Sequence, residues 1–140
     1  MYRRILVAVE NSSADDTILS HVTELANVTG AELILVHVAD GFAARHFEDL
    51  KLRESEEMRA DRVYLEQLAE RLSTPSRRVT TLLRMGDPAT EIVKAAEESH
   101  ADLIAMSTHG HRGLGDMARG TTVGKVRHVV RVPVLLLRAP

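Results

Sequence analysis

"ADLIAMSTHGHRGLGDMARGTTVGKVRHVVRVPVLLLR", Ala101 to Arg138, sets an apolar run, a glycine-rich stretch, a helical stretch and a second apolar run one after another. "ADLIAM" and "VPVLLLR" are short apolar runs that read as strands. Between them, Met106 to Thr122 holds four glycines. Glycine lets backbone N–H groups approach a ligand closely, and phosphate is the usual ligand of such a stretch. Pro133 falls at the start of the last strand, where its missing N–H does least harm.

The pattern repeats toward the N terminus. "RILVAV" (Arg4 to Val9) is a continuous apolar run. Ser12 and Ser13 offer helix caps, and Ile18, Leu19, Val22, Leu25 and Ala26 follow at helical spacing until Gly30 stops the helix. "AELILVHV" (Ala31 to Val38) is a second buried strand, and Ala39 to Phe47 reads as irregular. "FEDLKLRESEEMRADRVYLEQLAERL" carries Leu50, Met58, Val63, Leu65, Leu68 and Leu72 among charges of both signs, which predicts one long helix with a solvated face. "RRVTTLLR" (Arg77 to Arg84) is a third strand. Asp87 then stands as N-cap and Pro88 at the first helical position of a further helix.

Strand and helix in alternation predict an α/β fold, an open five-stranded parallel sheet with helices on both faces, Rossmann-like, for which the order 3-2-1-4-5 is assumed. In that order strands one and four are neighbours. The turn "ENSS" (Glu10 to Ser13) and the glycine-rich stretch then face each other at the carboxyl ends of the strands, where such folds bind ligands.

A chain of 140 residues suits one domain, 1–140. A net charge of -2 supplies no field toward nucleic acid or an acidic membrane, and 3% aromatics leave few stacking platforms for single strands. The absence of cysteine excludes disulfides, thiolate nucleophiles and cysteine-ligated zinc. The apolar run before Glu10 is five residues long, too short for a signal peptide, and nothing approaches a membrane span. The expectation is a cytoplasmic protein with no membrane insertion and no nucleic-acid partner.

Two nucleotide motifs fail on the glycine-rich stretch. Gly113-x-Gly115-x-x-Ala118 fits the dinucleotide pattern as text, yet six residues separate it from Met106 and no acidic residue follows Asp116. Gly115-x4-Gly120-Thr121-Thr122 lacks the lysine that a P-loop places before its hydroxyl. His109 and His111 have no partners to complete a metal set, and Arg112 and Arg119 read as phosphate-neutralising or solvated cations. His37, inside strand two, reads as a half-buried histidine with satisfied nitrogens.

A third pattern fits. "MSTHG", nine residues and "GTT", followed by a short helix and "VPVLLLR", resembles the ATP-binding signature of the universal stress protein family, G-x2-G-x9-G-[ST]. Ser107 stands at the first glycine, Gly110 at the second, and Gly120-Thr121 at the final pair. "MYRRILVAVENS", "GAELILVHV" and "GDPATEIVKAAEESHADLIAM" are similar to the family at matching positions, with Glu10 where the family usually has aspartate.

The resemblance implies ATP, with Mg²⁺, held by Ala8, Val9, Glu10, Val38, Met106, Ser107, Gly110, Gly120, Thr121, Thr122 and Val123. Val9, Glu10 and Val38 would supply the adenine wall and polar edge. Gly120 and Thr121 would offer N–H groups and a hydroxyl at the start of the last helix. It further implies a stress-response regulator that binds an unidentified protein partner and forms a homodimer, with Val132 to Arg138 of two chains meeting antiparallel. No general base or P-loop lysine is evident, so hydrolysis is expected to be slow or absent. Two other readings stand beside it: a dimerisation module of the same family without nucleotide, and an ATP-pyrophosphatase-type enzyme. The second needs a glycine-rich turn after strand one that "ENSSADD" lacks.

Overall fold

The computed structural model describes residues 1–40, 47–108 and 113–140; for Asp40 and residues 47–55 and 113–120 it describes backbone alone. The elements are β1 (Arg4–Ala8), α1 (Asp15–Thr29), β2 (Glu32–Asp40), α2 (Phe47–Leu72), β3 (Val79–Gly86), α3 (Pro88–Ser99), β4 (Leu103–Thr108), α4 (Gly113–Val129) and β5 (Val134–Arg138). The sheet runs β3-β2-β1-β4-β5 with every pairing parallel, as the alternation of strands and helices predicts.

β1 is the middle strand, and Ile5, Leu6 and Val7 are wholly shielded from water. Successive side chains point to opposite faces, so the strand feeds two separate cores. Ile5 and Val7 pack with Ile18, Leu19 and Val22 of α1 and Leu65 and Leu68 of α2. Leu6 and Ala8 pack with Ile92, Ala95 and Ala96 of α3 and Val123 and Val126 of α4. Each fully buried Leu, Ile or Val contributes about 1.5–3 kcal/mol of transfer free energy, which is why the helices dock on β1 from both sides.

The helix ends follow local chemistry. Gly30 takes φ 77 and donates its N–H to Ala26 O, a left-handed C-terminal stop that glycine adopts freely. Arg77 donates from its guanidinium to Leu72 O, the last carbonyl of α2, and to Asn27 Oδ1 of α1, tying the two helices on one face. Asp87 caps α3 by accepting from Thr90 N at 3.0 Å and Thr90 Oγ1 at 2.8 Å, with Pro88 just inside.

β2 runs on through Ala39 to Asp40, which the sequence reading took as irregular, and β3 is shifted to Val79–Gly86; three further differences bear on the site. β4 continues to Thr108, because Ser107 and Thr108 pair with Leu137 and Arg138 of β5. Ser12 and Ser13 do not cap α1; its N-cap is Ala14 and makes no side-chain cap. α4 begins at Gly113 instead of after Thr122. Leu114, Met117, Ala118 and Arg119 are good helix formers, and the roughly 1 kcal/mol cost of each intervening glycine does not stop the helix. Gly120 and Thr121 therefore lie inside α4, not at its first turn. No helix among the described residues is long and apolar enough to cross a membrane.

The Asp87 carboxyl is held below the usual carboxylate range, first by the Thr90 side-chain hydrogen bond, then by the Thr90 N–H, with Lys125 adding a smaller pull. Asp87→Ala is expected to cost about 1 kcal/mol in urea unfolding at neutral pH. A lowered folded value means that this stabilisation is complete above the unfolded value, about 3.9, and disappears as pH falls through the folded one. The gap between the two proteins should close in acid; a gap unchanged below pH ~2 would exclude the cap as its source.

Candidate functional site

The chain leaves β1 toward β2 and β3 on one side and returns to β4 and β5 on the other, so the strand order reverses between β1 and β4. Open α/β sheets bind their ligands at such a reversal, at the carboxyl ends of the strands. Next to it lies a cleft of about 120 Å³ lined by Ala8, Val9, Val36, His37, Val38, Pro88, Ile92 and Thr122. Its wall is mostly apolar, as ligand clefts are.

Four of the residues implied by the resemblance, Ala8, Val9, Val38 and Thr122, share this cleft. Met106 and Val123 lie under it, buried in the apolar cluster that also holds Ala8 and Ile92. Ser107 is turned to the opposite face. It is buried, and its Oγ donates to Ala14 O at 3.2 Å, so the hydroxyl fastens the end of β4 to the start of α1. Thr121 is exposed, one residue before the cleft-lining Thr122. Gly120 lies within α4, and Gly110, His109, His111 and Arg112 lie outside the described residues.

The turn after β1 is organised by Asp15, a residue to which the sequence reading gave no role. Asp15 is fully buried. Its carboxylate accepts from Glu10 N at 2.9 Å, Asn11 N at 2.9 Å and the Tyr64 hydroxyl of α2 at 2.6 Å, with Ser12 N farther off at 3.4 Å. A buried carboxylate is tolerated when its lone pairs are met in this way. The fold over Asp15 puts Asn11 at φ 62, a left-handed conformation that asparagine accepts more readily than most residues. Glu10 Oε1 in turn accepts from Ser12 Oγ at 2.9 Å.

A second connection runs from α2. His37 Nδ1 is 2.9 Å from Val9 O, and its Nε2 is 3.1 Å from Asp61 Oδ2. Asp61 Oδ1 accepts from Asn11 Nδ2 at 3.1 Å. Both ring nitrogens of His37 thus have an oxygen acceptor within reach, and the tautomer sets which of the two receives its N–H. Burial and the neighbouring Asp15 carboxylate push the Tyr64 phenol far above its ordinary value, so it remains a hydrogen-bond donor. No group of three potential ligating side chains among the described residues could hold a metal ion.

Asp15, Asp61 and Tyr64 were missed because a carboxylate at a helix start and polar residues on a charged helix look solvated. The only signal was the tyrosine itself, an amphipathic side chain in a stretch otherwise dominated by charge.

The fold is that of an open, doubly wound α/β class with a five-stranded parallel sheet. The sequence model for the universal stress protein family matches residues 1–138, and the chain belongs to that family. It is 34% identical over 142 residues to a universal stress protein of Thermus aquaticus, covering 99% of this chain and all of that one. The solved structure of the Methanocaldococcus jannaschii protein MJ0577 is 28% identical, with a TM-score of 0.77 over 100% of this chain and 98% of the other. A universal stress protein from Archaeoglobus fulgidus in complex with dAMP shares the fold at 21% identity and a TM-score of 0.66, covering 96% and 97%.

Asp15→Ala leaves two amides and a phenol without their acceptor and is expected to cost about 2–4 kcal/mol in denaturant unfolding. The neighbouring exposed Asp16→Ala should stay within about 0.5 kcal/mol of the parent. Similar losses in both would mean that the buried carboxylate does not organise the turn.

Proposed function

We propose that this protein is a single-domain, cytoplasmic regulator of the stress response that binds ATP with Mg²⁺ at the carboxyl ends of β1, β2 and β4 and acts as a homodimer. The observation that carries the reading is the cleft in which Ala8, Val9, Val38 and Thr122 meet at the carboxyl ends of β1 and β2, beside the switch point of the sheet. The base is read against Val9 and Val38, with the Glu10 carboxylate beside them. The triphosphate is assigned to the Ser107–Gly110 and Gly120–Thr121 parts of the signature, and Mg²⁺ arrives with the phosphates, as is usual for that ion. That the same fold holds dAMP in the Archaeoglobus fulgidus relative supports the choice of a purine nucleotide. His37 lines the cleft, but its ring nitrogens face Val9 O and Asp61 Oδ2, and the sequence carries no P-loop lysine; both favour holding the nucleotide over turning it over. The protein then passes its nucleotide state to a partner protein.

The dimer rests on β5. It is an edge strand, and Val134, Leu135, Leu136 and Leu137 are each only partly buried. An uncovered apolar edge is an aggregation hazard, and pairing with a second copy across a two-fold axis removes it.

Calorimetry is expected to give micromolar ATP affinity, roughly −8 kcal/mol. Val38→Trp fills the cleft and should weaken binding by about a hundredfold or more, because such pockets bury most of their ligand. No heat and no thermal shift with the parent protein at millimolar ATP would leave the dimerisation module as the function.

Leu136→Lys should move the light-scattering mass from dimer to monomer or aggregate, with circular dichroism still α/β. An unchanged dimer would locate the interface elsewhere.

A further inference from the structure

We propose that α2 positions the base-binding turn of the cleft, with Tyr64 and Asp61 as positioning residues that set affinity for the nucleoside part of the ligand. The inference deepens the nucleotide reading above and rests on it. Tyr64 and Asp61 stand three residues apart on α2 and so share a face. One donates to Asp15, whose carboxylate fixes the N–H groups of Glu10 and Asn11; the other accepts from the Asn11 side chain and faces the His37 ring that meets Val9 O. Two side chains of one helix therefore hold three consecutive residues, Val9 to Asn11. Val9 and His37 themselves line the cleft, but neither Tyr64 nor Asp61 does.

The apolar anchorage of α2 is supplied by Leu65 and Leu68, both buried against β1 and α1. That anchorage does not need the polar contacts, which are spent instead on the shape of the turn. Coupling between two sites is reciprocal, so a ligand that needs the turn in this shape also tightens α2. The long charged helix thereby becomes the element that carries nucleotide occupancy to the surface.

The test uses the full chain, Tyr64→Phe, which keeps the ring and removes the hydroxyl, and Asp61→Asn. Calorimetry with ATP and with adenosine is expected to show both ligands weakened by the same factor, about five- to tenfold in each variant, because the turn touches only the part they share. The ligand-free amide resonances of Glu10 and Asn11 should also move in Tyr64→Phe. Amide exchange along α2 should slow in the parent protein when ATP is added. Circular dichroism and melting check folding, and if Tyr64→Phe does not fold, Asp61→Asn carries the comparison. Parent binding with unaltered variants, or a loss confined to ATP, overturns this inference alone; a parent that binds no ATP overturns the nucleotide reading and this inference with it.

Discussion

β1 is apolar on both faces because both faces are covered, and that constraint shapes everything around it. Ile5, Leu6 and Val7 have no exposed surface, and Ala8 and Val9 have almost none. A polar side chain in this run would enter one of two cores without a partner, at a cost of several kcal/mol. The chain can therefore present its chemistry only where the strand ends, at Glu10 and beyond. The neighbours of β1 obey the same rule: the wholly buried side chains of β2 and β4 lie beside it, and the polar positions that follow those buried runs, His37 and Ser107, come toward their carboxyl ends. The position of the cleft follows from where burial stops.

Once the strand ends, the turn has to change direction in a few residues while its amides leave the sheet. Asp15 solves this by bringing a full charge inside and surrounding it with donors. A buried carboxylate surrounded by donors contributes order more than net stability, since removing it leaves the donors stranded. Ser107 does a smaller version of the same work from β4, giving its hydroxyl to Ala14 O. The serine that replaces the first signature glycine thus faces α1 and leaves the cleft side of β4 to Met106 and the backbone. The replacement is compatible with the cleft because side chains on a strand alternate between faces.

The alternation of strands and helices, Gly30 as a left-handed stop, Asp87 as a cap and the span of α2 were all legible in the sequence, because each depends on local periodicity or on one residue's backbone preference, whereas the strand order was assumed and then found. The cleft residues Ala8, Val9 and Val38 were reached through the family signature, since apolar strand ends look alike without it. Three things were not legible. α4 starts at Gly113 because glycine lowers helix stability without forbidding a helix, and docking through Val123 and Val126 outweighs it. Pro88 and Ile92 joined the cleft only when α3 lay across the end of β2. The network of Asp15, Asp61 and Tyr64 joins residues almost fifty positions apart, on stretches that each read as solvated helix. The sequence by itself determined which segments bury and in what rhythm, because transfer of apolar groups from water depends on residue type and spacing alone. Tertiary structure decided which polar groups meet, because a carboxylate reads as solvated until packing removes its water and requires a named donor in its place.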